Sequence, residues 1–263
     1  MSTTGIGQAF SRRSQEGQAA LVPYVTAGFP GPDATIPTLH AMAKAGADVI
    51  ELGIPFSDPL ADGPTIQHSS FESLGGGTTV LSVLEDLRAF RAADATPVVL
   101  FTYLNPVMRY GVDTFLADAQ EAGAQGLLLT DLPAGADPEL EGKIRDSGLD
   151  LIRLLAPTTP AHRIPAVAEG GDGFLYYISR TGVTGARTSL RDDLGDEVSA
   201  IRAAVSLPVA VGFGISTPDQ ARAVAEVADG VVVGSALVRI LGEDGIEAGA
   251  EFLGSLRRGM DAG

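Results

Sequence analysis

Short apolar runs alternate with amphipathic stretches along almost the whole chain. Most of these runs are continuously apolar rather than alternating, which is typical of parallel strands covered on both faces. Eight such runs in 263 residues give about 33 residues for each, the length of one βα unit. The predicted strands span residues 20–26, 49–52, 97–101, 126–130, 149–155, 173–178, 209–212 and 230–233.

Helical patterns fill the intervals between the apolar runs. Thr78 and Thr79 precede one of them as candidate caps, and Ser216-Thr217-Pro218 opens another with proline in the first turn. Residues 3–16 predict an extra helix before the first strand. The other predicted helices span residues 32–45, 80–93, 112–122, 137–146, 161–170, 191–205, 217–227 and 235–260, the last with a break near 242–245.

Eight βα units in 263 residues predict a single (β/α)8 barrel with an extra N-terminal helix. We expect one domain over residues 1–263. A doubly wound open sheet has the same alternation, and the periodicity does not separate the two folds. The number of units and the absence of a linker favour the barrel. No G-x-G-x-x-G follows the first strand, where Val25 leads into Thr26-Ala27-Gly28-Phe29, so a dinucleotide site lacks its main support.

Composition narrows the function classes. A net charge of −15 argues against nucleic acids and anionic membranes as partners, since both require basic patches. The absence of cysteine excludes disulfides, thiolate metal sites and cysteine nucleophiles, and three scattered histidines do not favour a metal site. No run of about 18 apolar residues and no apolar leader is present. We therefore expect a cytoplasmic protein without a metal site.

The second predicted strand ends in a carboxylate. Glu51 interrupts an apolar run, and barrel active sites lie at the carboxyl ends of the strands. An unpaired buried carboxylate costs several kcal/mol unless its pKa rises, and a raised pKa suits a general acid/base. A structural carboxylate bonded to a tyrosine or amide is the alternative. The long loop that follows carries Asp58 and Asp62, each equally suited to a turn or to catalysis.

Glycines follow the seventh and eighth strands, where barrels commonly bind phosphate. The segments Gly212-Phe213-Gly214 and Gly234-Ser235 allow close backbone approach, and the second opens a predicted helix. Ordinary turn glycines are the alternative.

The loop after the sixth strand, residues 179–187, is rich in hydroxyls and glycine and contains two arginines, which predicts a lid over a ligand.

Several motifs together resemble the tryptophan synthase alpha chain family. They are LVPYVTAGFP, ELGIPFSDPLADGPTIQ, YLNPV, DLP, YYISRTGVTGAR, GFGIS and VVGSALV, in order, from about residue 20 to 240. The resemblance implies a (β/α)8 barrel that cleaves indole-3-glycerol phosphate to indole and glyceraldehyde 3-phosphate. It also implies a β chain partner in an α2β2 assembly, with pyridoxal phosphate in the β chain and no cofactor in this one.

The resemblance also assigns roles to particular residues. Glu51 and Asp62 match the family's catalytic acids, and Thr184 belongs to the lid that contacts the aspartate. The indole ring is expected to contact Tyr24, Leu100, Leu128 and Tyr176, and the phosphate to bind at Gly185, Gly214, Gly234 and Ser235. Departures from the family's frequent residues occur at Phe29, at 134–136 and at 68–70, in loops where we expect the β chain contact.

Two other functions remain open from the sequence. One is a different phosphate-binding barrel, such as a sugar-phosphate isomerase. The other is a non-catalytic barrel that acts only through a partner. The strand-two segment with Glu51 and Asp62 intact argues against both, because its two acids and rigid prolines match one family closely.

Overall fold

A computed structural model describes residues 5–179, 194–212 and 214–262. All strand pairs found there are parallel, in a sheet ordered β5-β4-β3-β2-β1-β9-β8-β7-β6. The sheet's two outer strands, β5 and β6, are separated only by Ile152, so the chain itself closes the barrel. The strands are β1 (Ala20–Thr26), β2 (Ile50–Gly53), β3 (Val98–Thr102), β4 (Gly126–Leu129), β5 (Asp150–Leu151), β6 (Arg153–Leu155), β7 (Leu175–Ile178), β8 (Val209–Gly212) and β9 (Gly230–Val233).

Helices follow the strands and cover the outside of the barrel. The described residues form α1 (Gly5–Gln15), α2 (Thr35–Lys44), α3 (Pro64–Gly75), α4 (Val80–Arg91), α5 (Leu104–Tyr110), α6 (Val112–Glu121), α7 (Pro138–Asp146), α8 (Ile164–Ala168), α9 (Leu194–Ala204), α10 (Pro218–Ala225), α11 (Ser235–Glu243) and α12 (Gly245–Asp261). The predicted (β/α)8 barrel with an extra N-terminal helix is confirmed. The predicted break in the last helix separates α11 from α12.

Four local features differ from the sequence expectation or refine it. Helix α3 lies where a loop was expected, and the seven-residue α5 was not predicted. The segment 161–170 forms a 3₁₀ turn and the short α8 rather than one longer helix. Thr79, not Thr78, caps α4: its hydroxyl accepts from the Ser82 N–H, and the Ser82 hydroxyl accepts from the Thr79 N–H.

The apolar core has two layers. The larger layer lies between the sheet and the helices, and a smaller one fills the barrel. Helix α1 closes the amino end of the barrel, where Phe10 stacks on Phe174 with ring centroids 5.2 Å apart. Gly230 opens β9 there, and a Cβ at that position would lie 2.8 Å from the Phe10 ring. The amino end is thus filled, which leaves the carboxyl end for a site. None of the described helices is long and apolar enough to cross a membrane.

Candidate active site

A cavity of about 360 Å³ opens at the carboxyl ends of the strands. We call it the barrel-mouth cavity. Its wall combines residues from the strands, the loop before α3 and the first turn of α11. The lining residues used below are Tyr24, Glu51, Asp62, Phe101, Leu154, Tyr176, Gly212, Gly214, Gly234 and Ser235.

Glu51 lies on the inner face of β2, with only 1% of its surface exposed. Tyr24 of β1 and Val99 of β3 are its neighbours in the sheet. Its Oε1 is buried and has no hydrogen-bond partner among the described residues. Burial raises the pKa of the Glu51 carboxyl to about 8. Among the described residues, no tyrosine or amide therefore supplies the hydrogen bond to Oε1 that a purely structural carboxylate would require.

Asp62 lies in the loop between β2 and α3, two residues before that helix begins. The Tyr103 hydroxyl donates to Asp62 Oδ2 at 3.0 Å and accepts from the Ala61 N–H at 3.0 Å. Burial raises the pKa of the Asp62 carboxyl to about 6, although the Tyr103 hydrogen bond lowers it. Asp58 instead accepts from the neighbouring Ser57 hydroxyl on the exposed outer part of the loop, and it does not line the cavity. The structure thus separates the two aspartates that the sequence left equivalent.

Two buried tyrosines flank the carboxylates. Burial raises the pKa of the Tyr24 hydroxyl and of the Tyr176 hydroxyl, and the charges of Glu51 and Asp62 raise both further. Gly53 and Gly212, the last residues of β2 and β8, provide room for the two phenols. A Cβ on Gly53 would collide with the Tyr24 hydroxyl, and one on Gly212 with the Tyr176 hydroxyl. The glycines at these strand ends therefore determine where the tyrosines lie.

Another part of the cavity wall consists largely of backbone. Gly234 is the residue before α11 and Ser235 is its first residue, so the free N–H groups of that helix start border the cavity. Gly214 also lines it and has a φ of +55°, a conformation that favours glycine. A helix N-terminus carries partial positive charge, so this wall can hold an anion without a basic side chain.

The remaining predicted contacts have different positions. Leu100 packs in the outer core between the sheet and the helices, and Phe101 lines the cavity in its place. The prediction for Leu100 is therefore corrected: successive side chains of a strand point to opposite faces, and Phe101 has the inward one. Leu128 lies in the inner core and is not among the lining residues. Thr184 and Gly185 lie outside the described residues.

Several residues of the site are not predicted from the sequence, and three of them matter most for the argument. Phe101 and Leu154 line the cavity, and Tyr103 holds Asp62. Tyr103 belongs to the YLNPV motif, which points to the family but not to a role for the tyrosine. Within the described ranges, no group of three or more His, Cys, Asp or Glu side chains could hold a metal ion.

Fold and cavity together define a class of protein: a (β/α)8-barrel enzyme with acidic side chains at the barrel mouth. A profile of the family described as tryptophan synthase alpha chain matches residues 10–258. The chain belongs to the tryptophan synthase alpha chain family, which confirms the family predicted from the motifs.

Sequence relatives and solved structures support the same family. The tryptophan synthase alpha chain of Citrifermentans bemidjiense is 48% identical over 259 residues, 97% of each chain. The crystal structure of tryptophan synthase subunit alpha from Legionella pneumophila superposes with a TM-score of 0.91 at 38% identity, covering 99% of this chain and 100% of that one. A chain of Mycobacterium tuberculosis tryptophan synthase superposes with a TM-score of 0.92 at 37% identity, covering all of both chains.

Proposed function

We propose that this chain cleaves indole-3-glycerol phosphate to indole and glyceraldehyde 3-phosphate, with Glu51 as general acid/base and Asp62 as the partner of the ring nitrogen. One observation carries the assignment of roles: two carboxylates face one cavity in environments that separate their pKa values, about 8 and about 6. Such a separation allows one carboxyl to be protonated while the other is ionised at the same pH.

The reaction breaks the bond between ring carbon 3 and the side chain. Glu51 gives its proton to carbon 3, and the resulting positive charge falls on the ring nitrogen. Ionised Asp62 accepts a hydrogen bond from the ring N–H and so stabilises that charge. Glu51, now ionised, takes the proton of the hydroxyl on the adjacent side-chain carbon. That carbon becomes the aldehyde, the carbon–carbon bond breaks, and its electrons return to the ring. Glu51 ends protonated, as it began.

This assignment predicts a bell-shaped pH profile. Activity falls above about pH 8, because Glu51 loses the proton it must donate, and below about pH 6, because Asp62 becomes protonated. At pH 7 both groups are mostly in the required form. A single carboxylate that acts first as acid and then as base requires a pKa near the working pH, which burial gives to Glu51.

The cavity also suits the rest of the substrate. Tyr24, Phe101 and Tyr176 offer aromatic surface for the indole ring on the side of the carboxylates. Gly214, Gly234 and Ser235 offer backbone N–H groups for the phosphate at the start of α11. We assign Thr184 and Gly185 to the lid and to the phosphate, from the resemblance alone.

A β chain is the partner we propose, in an α2β2 assembly that holds pyridoxal phosphate in the β chain and none in this one. The alpha chain family and the tryptophan synthase neighbours support this.

Two apolar side chains near the barrel mouth are exposed: Leu60, in the loop before α3, at 92%, and Met108, on α5, at 62%. We propose the cytoplasm as the location of the assembly and one domain over residues 1–263.

Purified variants test the catalytic roles. Glu51→Gln and Asp62→Asn are each expected to lower indole release by about 10²–10⁴-fold, the range of general acid–base contributions. Asp58→Asn in the same loop and Glu72→Gln on the exposed side of α3 are matched controls, expected to stay within about twofold. Near-normal indole release by a folded Glu51 or Asp62 variant contradicts its role. No indole from the unmodified chain, alone or with a β chain, favours the two other functions.

A further inference from the structure

Helix α3 has an unusual buried face. Its buried residues are Ile66, Ser69, Ser70 and Ser73, so three of the four are serines. A helix packed on a barrel is normally held by an apolar stripe, whose contacts are not directional. Asp62 lies two residues before α3 begins. Contacts that hold α3 in one position therefore also restrict the position of the Asp62 carboxylate.

Two of the serines bond to the carboxyl end of β1. Ser69 Oγ lies 2.7 Å from Thr26 Oγ1, and Thr26 Oγ1 lies 3.4 Å from the Tyr24 hydroxyl in the cavity wall. The Ser73 hydroxyl donates to the Ala27 carbonyl at 2.5 Å. The helix is therefore attached by hydroxyl contacts to the strand that carries Tyr24.

The helix also holds the loop that precedes it. The Gln67 side-chain amide donates to the Asp62 carbonyl at 2.8 Å, so the backbone of Asp62 is tied to the first turns of α3. The Asp62 side chain receives its bond from Tyr103, on the loop after β3. The Asp62–Tyr103 bond therefore joins two parts of the chain, and its geometry depends on how α3 lies against β1.

We propose that Ser69 and Ser73 are positioning residues for the cleavage reaction: their bonds to Thr26 and Ala27 fix α3 on β1 and so hold Asp62 against Tyr103. The inference rests on the proposed function for its catalytic meaning, and on the contacts above for its geometry. Directional bonds suit this task, because a hydroxyl pair defines one position of the helix along the strand.

The test uses Ser69→Ala and Ser73→Ala in the full chain. Ser70→Ala is the matched control, because Ser70 is also buried on α3 and no hydrogen bond joins it to β1 among the described residues. The Asp62 carboxyl is titrated by ¹³C NMR without ligand. We expect its pKa to rise in the two test variants, because a displaced Asp62 loses part of the Tyr103 bond, and to stay unchanged in the control. Tyr103→Phe gives the reference for complete loss.

Kinetics provide the second readout. The test variants are expected to lower kcat about tenfold with little change in KM, since small misplacements of a catalytic group lower rates strongly. Thr26→Ser, which keeps the hydroxyl, should retain the rate that Thr26→Val loses. Values equal to those of Ser70→Ala in both pKa and kcat would overturn the proposal. Failure of the unmodified chain to release indole would refute the proposed function. The Asp62 titration would still show whether Ser69 and Ser73 position the Asp62 carboxyl.

Discussion

At the scale of residues, the buried carboxyl of Glu51 lowers the stability of the folded chain when it is ionised. Its side chain lies between apolar strands, and its pKa of about 8 shows that burial disfavours the charged form. An acid whose folded pKa is raised above its unfolded value stabilises the fold less and less as pH rises between the two values. The pH at which Glu51 could act is therefore also the pH at which it weakens the protein.

Glu51→Gln should stabilise the chain in a pH-dependent way. The neutral amide avoids the ionisation of a buried group, so the gain in unfolding free energy over the unmodified protein should grow by about 3 kcal/mol between pH 5 and pH 8, given about 1.4 kcal/mol per pKa unit. Urea unfolding across this range measures it. A gain for Glu51→Gln that is independent of pH would contradict the assigned pKa.

Particular residues show how far the sequence determines the site. Glu51 and Asp62 could be found because their types are unexpected where they stand, at the end of an apolar strand and in a long loop. The family resemblance implies that Leu100 contacts the ligand, but the alternation of inward and outward side chains along β3 puts Phe101 in the cavity instead. Tyr103 could not be assigned, because its bond to Asp62 joins loops 41 residues apart.

Elements with regular apolar patterns were predicted well. β1, β8 and β9 have the predicted bounds to the residue, since β1 and β9 are buried throughout and β8 is buried up to its last residue. Helix α3 could not be predicted from periodicity, because serines replace the apolar stripe that marks a packed helix. Helix α5 is only seven residues long, too short for a repeat to appear.

Strand ends that carry glycine should not tolerate a side chain. Gly212→Ala would place a methyl group against the Tyr176 hydroxyl and push that ring into the cavity. We expect kcat/KM for indole release to fall at least tenfold, with a loss of about 1–3 kcal/mol in unfolding free energy. Gly142→Ala on α7, where nothing lies within 4 Å, is the control and should stabilise by about 0.5–1 kcal/mol. Unchanged kcat/KM for Gly212→Ala would contradict the predicted clash between the added methyl group and the Tyr176 hydroxyl.

At the scale of the whole molecule, one buried carboxylate connects the two ends of the chain. Asp48, just before β2, is 3% exposed and pairs with Arg13 of α1 at 2.7 Å and Arg257 of α12 at 3.3 Å. Its Oδ2 also accepts from the Leu21 N–H at 2.9 Å. The cluster lies at the amino end of the barrel, away from the cavity, so its role is structural.

Asp48→Ala should destabilise strongly, by about 3 kcal/mol, because it leaves buried arginine and backbone N–H groups without their acceptor. Glu243→Ala removes the exposed pair with Arg239 and should cost less than about 1 kcal/mol. Urea unfolding of the two variants makes the comparison. Equal losses in the two would show that the cluster contributes no more than a surface pair.

The start of α11 offers an anion its free backbone N–H groups, and no basic side chain lines the cavity among the described residues of a chain whose net charge is −15. Long-range and short-range electrostatics therefore act in opposite directions. The acidic surface repels a phosphorylated molecule during its approach, whereas the N–H groups attract it only on contact. Diffusional encounter should consequently be faster when salt screens the surface, over a Debye length of about 10 Å at 0.1 M, while dissociation changes little. The rate of capture thus depends on the ionic medium, and the residence of the bound anion depends on the helix.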